Sequence, residues 1–209
     1  MAPKRKISNT LALAVLGLLL ERPMHPYEMA AVLRERHKGS SFKINSGSLY
    51  DTVEALVRHG WIEPKATVRS GRRPERTVYT HTELGHREFL RWLDELVRVP
   101  VDEYPKFLAA VSYLGALGPG GAVDALTERT HHLTRWIEET RAAHAEVVDS
   151  GAAPRLFVIE VEYLLNAWES ELAWVRRTID EIRDGSLAWP DTPPDDRTDS
   201  ADDATKESQ

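Results

Sequence analysis

The first sixty residues contain three stretches in which apolar residues recur at helical spacing. The first, residues 11–20, is apolar on nearly every side, which predicts a buried helix. A break at residues 22–26 follows, because a proline lacks a backbone N–H and disfavours helix in the residue before it. The second helix is predicted to begin near Pro26 and to end before Gly39.

The third helix and the segment after it predict the fold class. This helix opens at Asn45 or Ser46, both good N-cap residues. The residues predicted to be buried on it are Leu49, Val53, Leu56 and Val57. Residues 61–63 and 77–80 are predicted to form two short strands around a turn at 69–74. Three helices and a two-stranded β-hairpin wing make a winged helix-turn-helix, so we expect a mainly α protein.

Two prolines mark the predicted domain boundary. A fourth helix is predicted over residues 82–98, and Pro100 and Pro105 follow it closely. Near its end the chain is rich in Asp, Pro, Ser and Thr and almost without apolar residues, a composition typical of disorder. We therefore expect a winged helix-turn-helix domain with a connecting helix, a helical C-terminal region and a disordered acidic tail, over residues 1–98, 99–188 and 189–209.

The C-terminal region includes a helix with a long apolar seam. Helices are predicted around residues 107–117, from a glycine-rich break at 118–121 to about residue 148, and over residues 154–183. On the last helix, apolar residues alternate at spacings of four and three, as in a coiled coil. These residues are Val161, Leu165, Trp168, Leu172, Val175, Ile179 and Ile182. We expect the seam to be the dimerisation interface of a homodimer; packing within its own chain is the alternative.

Composition and charge narrow the possible partners. The chain has 209 residues and no Cys, which excludes disulfides, thiolate metal ligands and a cysteine nucleophile and suits the cytoplasm. Its longest apolar run is about half of the ~20 residues that span a bilayer, so no membrane partner is expected. The net charge is −6, yet residues 1–80 contain 14 Lys and Arg against 7 Asp and Glu. A basic N-terminal part joined to an acidic remainder predicts that the N-terminal part binds nucleic acid.

The start of the third helix and the hairpin contain the residues predicted to bind double-stranded DNA. Small polar residues at a helix N-terminus allow close entry into the major groove; here they are Asn45, Ser46, Gly47 and Ser48. Base reading is assigned to Ser46, Ser48, Tyr50 and Asp51. The cations predicted to contact phosphate are Lys43, Lys65, Arg69, Arg72, Arg73 and Arg76. A solvated charged loop is the alternative for the hairpin.

Other kinds of site find little support in the sequence. Glu128 and His132 have i, i+4 spacing, but no third ligand stands out, so no metal site, cofactor or catalytic residue is predicted. Several aromatic residues are candidates for a pocket that binds a small aromatic effector, with core packing as the competing interpretation. They are Trp92, Phe107, Tyr113, Trp136 and Tyr163.

Five short motifs follow one another in the first ninety residues. They are Leu16-Gly17-Leu18-Leu19, His25-Pro26-Tyr27-Glu28, Gly47-Ser48-Leu49-Tyr50, Gly60-Trp61-Ile62, and Tyr79 with Thr82 and Gly85. In this order they resemble the PadR-like family of transcriptional regulators, although Pro26 stands where the family usually has Gly and His81 where it usually has Leu. The resemblance implies a winged-helix DNA reader that dimerises through C-terminal helices, often represses nearby genes and releases DNA on sensing a small molecule. It also favours a phosphate contact, rather than a core position, for Tyr50.

Two functional hypotheses follow. The first is a sequence-specific, DNA-binding transcriptional regulator, a homodimeric repressor on an inverted-repeat operator that a small-molecule effector releases. The alternative is a winged-helix interaction module whose C-terminal helices bind another protein and which binds DNA weakly. The basic hairpin favours the first, because an interaction module has no need of concentrated positive charge there. An enzyme is not expected.

Overall fold

A computed structural model describes residues 7, 9–36, 46–68 and 76–189 of the chain. The chain divides into two compact units, Met1–Asp102 and Glu103–Gln209. The division falls four residues beyond the boundary expected at residue 98, within the segment between Pro100 and Pro105. Each unit has a hydrophobic core of its own. In the part of the chain that the structure covers, no helix combines the length and the apolar character needed to cross a membrane.

The N-terminal unit begins with the three predicted helices, α1 (Thr10–Glu21), α2 (Pro26–Glu35) and α3 (Ser46–Arg58). The Oδ1 atom of Asn9 accepts a hydrogen bond from the backbone N–H of Leu11 and so caps α1. At α2 the ring Nδ1 of His25 accepts from the N–H of Tyr27 at 3.0 Å, and Pro26 occupies the first turn. Helix α1 lies at the centre of the core, which explains why its sequence is apolar nearly all round.

A two-stranded antiparallel sheet, β1 (Ile62–Val68) and β2 (Arg76–His81), follows α3. Both strands are longer than the sequence predicted. Pairing slips between Pro64 and Ala66, so Lys65 is an extra residue in a bulge, the place where a strand tolerates the missing N–H of a proline. The structure confirms the predicted fold class, a mainly α protein with a winged helix-turn-helix.

The linker between α1 and α2 also pairs with the sheet. Met24 and Tyr79 exchange two backbone hydrogen bonds, from Met24 N to Tyr79 O at 3.2 Å and from Tyr79 N to Met24 O at 3.0 Å. Sequence reasoning treated residues 22–26 only as a helix break. The bridge joins the wing to the helical part and buries Met24 in the core.

Helix α4 (Glu83–Arg98) closes the N-terminal unit. The Thr82 hydroxyl accepts from the N–H of Gly85 at 2.9 Å and donates to the carbonyl of Gly60 at 2.7 Å, so it ties the start of α4 to the end of α3. A Cβ at Gly85 would lie 1.7 Å from the carbonyl oxygen of Trp61, which leaves room only for glycine. Phe89 then enters the core from the buried face of α4.

The C-terminal unit is helical and differs from the prediction in its first part. It consists of α5 (Lys106–Val111), a 3-10 turn (Leu114–Leu117), α6 (Gly118–Asp149), a 3-10 turn (Arg155–Phe157) and α7 (Ile159–Arg183). The helix predicted over 107–117 is thus two short pieces. The break predicted at 118–121 is wrong, since Gly118, at φ +67°, turns the chain directly into α6. Pro119 lies in the first turn of α6, a position at which proline starts a helix rather than interrupting one.

Helices α6 and α7 pack as an antiparallel pair, and the apolar seam of α7 lies between them. Leu165 and Leu172 are buried with Leu133 and Ile137 of α6. Further along the pair, the buried residues are Val175, Ile179 and Ile182 of α7 with Ala122 and Leu126 of α6. The seam therefore packs within its own chain, the alternative to dimerisation. Spacings of four and three indicate a helix partner, but they do not tell whether that partner belongs to the same chain.

The end of the described chain folds back onto this unit. The indole Nε1 of Trp189 donates to the carbonyl of Gly115 at 3.0 Å, and its ring packs against the buried cluster of α6 and α7. Trp189 is therefore part of the C-terminal unit and not, as expected, the first residue of a disordered tail. The rest of the predicted tail, 190–209, lies outside the described residues.

Candidate nucleic-acid interface

Helix α3 has one buried face and one exposed face. Leu49, Val53 and Leu56 are buried in the core, as predicted, and Thr52 is buried beside them. Gly47, Ser48 and Asp51 are exposed on the other side. Tyr50 is 45% exposed, so its ring is not a core residue. The described residues predicted to meet DNA on this helix thus share its solvent side.

Hydrogen bonds fix α3 against α1 just below this exposed face. The Thr52 hydroxyl donates to the carbonyl of Ser48 at 2.6 Å, and the side-chain amide of Asn9 donates to the Thr52 oxygen at 3.3 Å. Asn9 therefore both caps α1 and contacts α3. Nothing in the local sequence indicates the second contact, which depends on packing between residues 43 positions apart.

The wing strands carry two of the predicted cations. Lys65 is exposed in the bulge of β1, and Arg76 is exposed at the start of β2. The Arg76 guanidinium lies over the ring of Tyr27, with Cζ 5.6 Å from the ring centroid. This cation–π contact orients Arg76 while leaving its N–H groups available. Tyr27, exposed on α2, was missed by the sequence analysis, because nothing in its local pattern indicates a partner on β2.

The remaining predicted DNA contacts fall where the structure gives no description. Lys43, Asn45, Arg69, Arg72 and Arg73 lie outside the described residues, as does the side chain of Ser46. Their assignment stays a prediction from sequence.

Ion pairs divide the cations of the N-terminal unit into two groups. Arg22 contacts Glu28 at 2.5 Å, and Arg36 forms two hydrogen bonds with Glu21, at 2.5 and 2.8 Å. These hydrogen bonds hold the pKa values of both glutamates below their usual range. Within the described ranges, neither Lys65 nor Arg58 has a carboxylate partner. Lys65 and Arg58 are thus left available for an external anion.

Comparison with known proteins identifies this arrangement. Residues 15–91 match the family model described as transcriptional regulator PadR-like family. The chain is 22% identical over 149 residues to the negative transcriptional regulator PadR of Bacillus subtilis, covering 71% of this chain and 80% of that protein. The N-terminal unit belongs to the PadR-like family of transcriptional regulators. The resemblance seen in the sequence motifs is confirmed.

Solved structures show the same fold over most of the chain. Bacillus subtilis PadR in complex with operator DNA superposes with a TM-score of 0.72 at 19% identity, covering 85% of this chain and 99% of that one. The same regulator in complex with p-coumaric acid gives a TM-score of 0.70 at 17% identity, covering 84% and 99%. The Vibrio cholerae virulence activator AphA gives 0.65 at 15% identity, covering 83% and 98%.

His81 departs from the Leu usual in the PadR-like family, and the structure explains how it is accommodated. Its Nε2 lies 2.6 Å from the carbonyl oxygen of Leu16, so this nitrogen donates the hydrogen bond, while the ring makes edge contacts with His86 and Phe89. Burial lowers the pKa of His81 by more than the hydrogen bond to Leu16 raises it, and the neighbouring His86 lowers it further. The partly buried ring therefore favours its neutral form and is anchored by one hydrogen bond.

The five aromatic residues proposed for an effector pocket differ in exposure and in what they pack against. Trp92 is 4% exposed in the N-terminal core and is unavailable to a ligand. Phe107 packs against Trp174 with ring centroids 6.0 Å apart, and Trp136 packs against Trp168 at 5.6 Å. Tyr113 and Tyr163 are 78% and 79% exposed. Among the described residues, no group of three potential ligands for a metal ion is found.

Proposed function

We propose that this PadR-like regulator binds a specific operator through the exposed side of α3. The observation that carries the proposal is the division of α3 into a buried face and an exposed face that holds Ser48, Tyr50 and Asp51. Hydroxyl and carboxylate groups at the front of a helix reach base edges in the major groove, where each base pair presents its own pattern of donors and acceptors. The match to Bacillus subtilis PadR, which was crystallised with operator DNA, supports the proposal that this chain binds an operator.

The wing supplies the part of binding that does not depend on sequence. Lys65 and Arg76 are exposed on the two strands, and Arg69, Arg72 and Arg73 lie between the strands in the sequence. Each phosphate neutralised by a cation releases counterions, so such contacts give affinity that falls with salt. The net charge of −6 does not oppose this, because the acidic residues are concentrated after residue 80.

We further propose that the protein acts as a homodimer. Its interface is the solvent-exposed face of α7, not the apolar seam that is buried against α6. Opposite the seam, Tyr163, Ala167, Ser170 and Trp174 recur at spacings of four, three and four and share one side of the helix. Tyr163 is 79% exposed and Ala167 is exposed, while Trp174 is partly buried through its contact with Phe107. An apolar face of this kind needs a partner in solution.

A second copy of the chain fits that face because its pattern is self-complementary. The order large, small, small, large is symmetric about the midpoint between residues 168 and 169. An antiparallel second copy would thus place each Tyr163 against the Trp174 of the other and bring the small residues together at the crossing. A two-fold contact uses the same patch on both subunits. The operator is then an inverted repeat.

Regulation is proposed to be repression that a small molecule relieves, exerted in the cytoplasm and without catalysis. The support comes from relatives, since Bacillus subtilis PadR is a negative regulator and was also crystallised with p-coumaric acid. The effector of this chain is expected to bind in the C-terminal unit, whose exposed aromatic residues remain candidates.

Selection of bound sequences from a random DNA pool tests the proposal directly. The expected result is an enriched inverted repeat, bound with an affinity that falls steeply with salt. Repeating the selection with small aromatic acids added tests release. Recovery of no motif, with binding that stays weak at low salt, would instead support the alternative of an interaction module for another protein.

A further inference from the structure

An open groove of about 730 Å³ runs along α3 next to the proposed DNA-facing residues. The residues that matter in its lining are Asn9, Ser48, Asp51, Ala55, Arg58 and His59. It therefore joins the base-reading end of α3 to the opposite end of the same helix. Neither the family match nor the sequence motifs assign a role to that second end.

The spacing of these residues places them on one stripe of α3. Ser48, Asp51, Ala55 and Arg58 follow at intervals of three, four and three, which is the repeat of one helical face. Ala55 has a small side chain, so nothing bulky separates the two ends of the stripe. The surface that faces DNA at Ser48 thus continues to Arg58.

Arg58 is exposed and lacks the ion pair that most of the other described arginines of its unit have. Arg22, Arg36, Arg87, Arg91 and Arg98 each lie within 4 Å of a carboxylate. Arg58 has no such partner in the described part of the chain, although Glu54 is one turn before it. His59, partly buried beside it, adds a ring N–H donor to the same groove.

The length of the helix decides what Arg58 would meet on DNA. Arg58 follows Asp51 by seven residues, or roughly 10 Å of helix at 1.5 Å per residue. The major groove is about 8.5 Å deep. If Asp51 is at the base edges and the N-terminal end of α3 points into the groove, Arg58 lies near the rim of the groove, where the phosphates are.

We propose that Arg58, with His59 beside it, binds one phosphodiester of the DNA backbone at the rim of the major groove. The inference rests on the proposed function, since it takes α3 to enter the groove with its N-terminal end. Two phosphate oxygens match the planar fork of a guanidinium, so the contact fixes how far the helix enters as well as adding affinity. The Asp51 carboxylate repels phosphate and so keeps the anion at the Arg58 end.

The test compares Arg58→Ala with Arg91→Ala on the operator found by selection. Arg91 is an exposed arginine on α4 paired with Glu88, so its removal changes the net charge equally without touching the groove. Each phosphate contact contributes about 0.9 to the slope of log K against log salt. For a dimer we expect Arg58→Ala to lower the slope by about 1.8 and to weaken binding to all sequences alike, whereas Arg91→Ala leaves it unchanged. Arg58→Lys should retain most of the slope.

Two results separate the failure of this inference from the failure of the proposed function. A normal slope and affinity in Arg58→Ala, together with a reduced slope in Lys65→Ala combined with Arg76→Ala, would overturn the Arg58 contact alone. Absence of salt-dependent binding by the unmodified protein would overturn the proposed function, and this inference with it. Circular dichroism of each variant verifies that the fold is retained, which is expected because Arg58 is exposed and has no ion pair with any described residue.

Discussion

The Nε2 atom of His81 lies 2.6 Å from the carbonyl oxygen of Leu16 and ties the last residue of the wing to the middle of α1. Burial holds the pKa of His81 below its usual 6.5, so the folded state prefers the neutral ring. Nδ1 is buried without a hydrogen-bond partner among the described residues. A proton added there would give a charged ring with a buried N–H that has no hydrogen-bond partner among the described residues.

This contact predicts a loss of stability in mild acid. Because the folded pKa of His81 is lower than the unfolded one, the unfolded state binds more protons below pH 6.5, and the free energy of unfolding falls as the pH is lowered. His25, whose pKa burial and Arg76 also lower, contributes in the same direction. Urea unfolding at pH 7.5 and 5.5 measures the effect. We expect His81→Leu to reduce the difference between the two; an equal difference in the variant would show that His81 is not responsible.

The contact between Gly85 and Trp61 predicts a site that accepts no side chain. A Cβ at Gly85 would overlap the backbone carbonyl of Trp61, which cannot move without disturbing the Thr82 cap, so Gly85→Ala should destabilise the protein by ~3 kcal/mol. Gly17 is the matched control, since it lies inside α1 with open space around its Cα. Gly17→Ala should stabilise by ~1 kcal/mol through helix propensity. Urea midpoints that shift equally in both variants would contradict this explanation.

The periodicity of apolar residues predicted which residues are buried within a single helix. The buried residues of α3 followed from helical spacing alone, because one face of a helix must meet the core. The Met24 to Tyr79 bridge did not, since it joins backbone groups and leaves no side-chain pattern. The covered seam of α7 shows the same limit, because spacing indicates that a partner helix exists but not which one. The local sequence therefore predicted the helices and strands. Which of them pack against one another could be learned only from the structure.

The division of α3 into two faces predicts that Asp51 determines which sequence is preferred. We expect Asp51→Asn to change the selected base at one position of each half-site, with ~1–3 kcal/mol of altered discrimination, and to strengthen binding to random DNA by a smaller amount, because a carboxylate that repels phosphate is removed. Asp94→Asn is the control, since Asp94 is exposed on α4 and pairs with Arg98 at 2.7 Å. Sequence selection with both variants gives the answer. The same motif from Asp51→Asn and the unmodified protein would remove Asp51 from base reading.

The two opposite faces of α7 predict different outcomes for charges placed on them. Tyr163→Glu combined with Ala167→Glu adds two charges to the exposed face, so the protomer should stay helical while the dimer dissociates at least tenfold more readily. Leu165→Asp combined with Leu172→Asp puts the charges between α6 and α7, where the chain avoids burying them only by losing the pair. That variant should lose helix content as well as the dimer.

Light scattering and circular dichroism, read together, separate these outcomes. Ala142→Glu on α6 is the control for an added surface charge, because Ala142 is exposed and lies opposite the residues that pack against α7; it should leave both readouts unchanged. Because a dimer presents two copies of α3 to an inverted repeat, operator affinity should fall in the Tyr163 and Ala167 variant while each half-site is still recognised. A folded and fully dimeric Tyr163 and Ala167 variant would place the dimer interface on another surface.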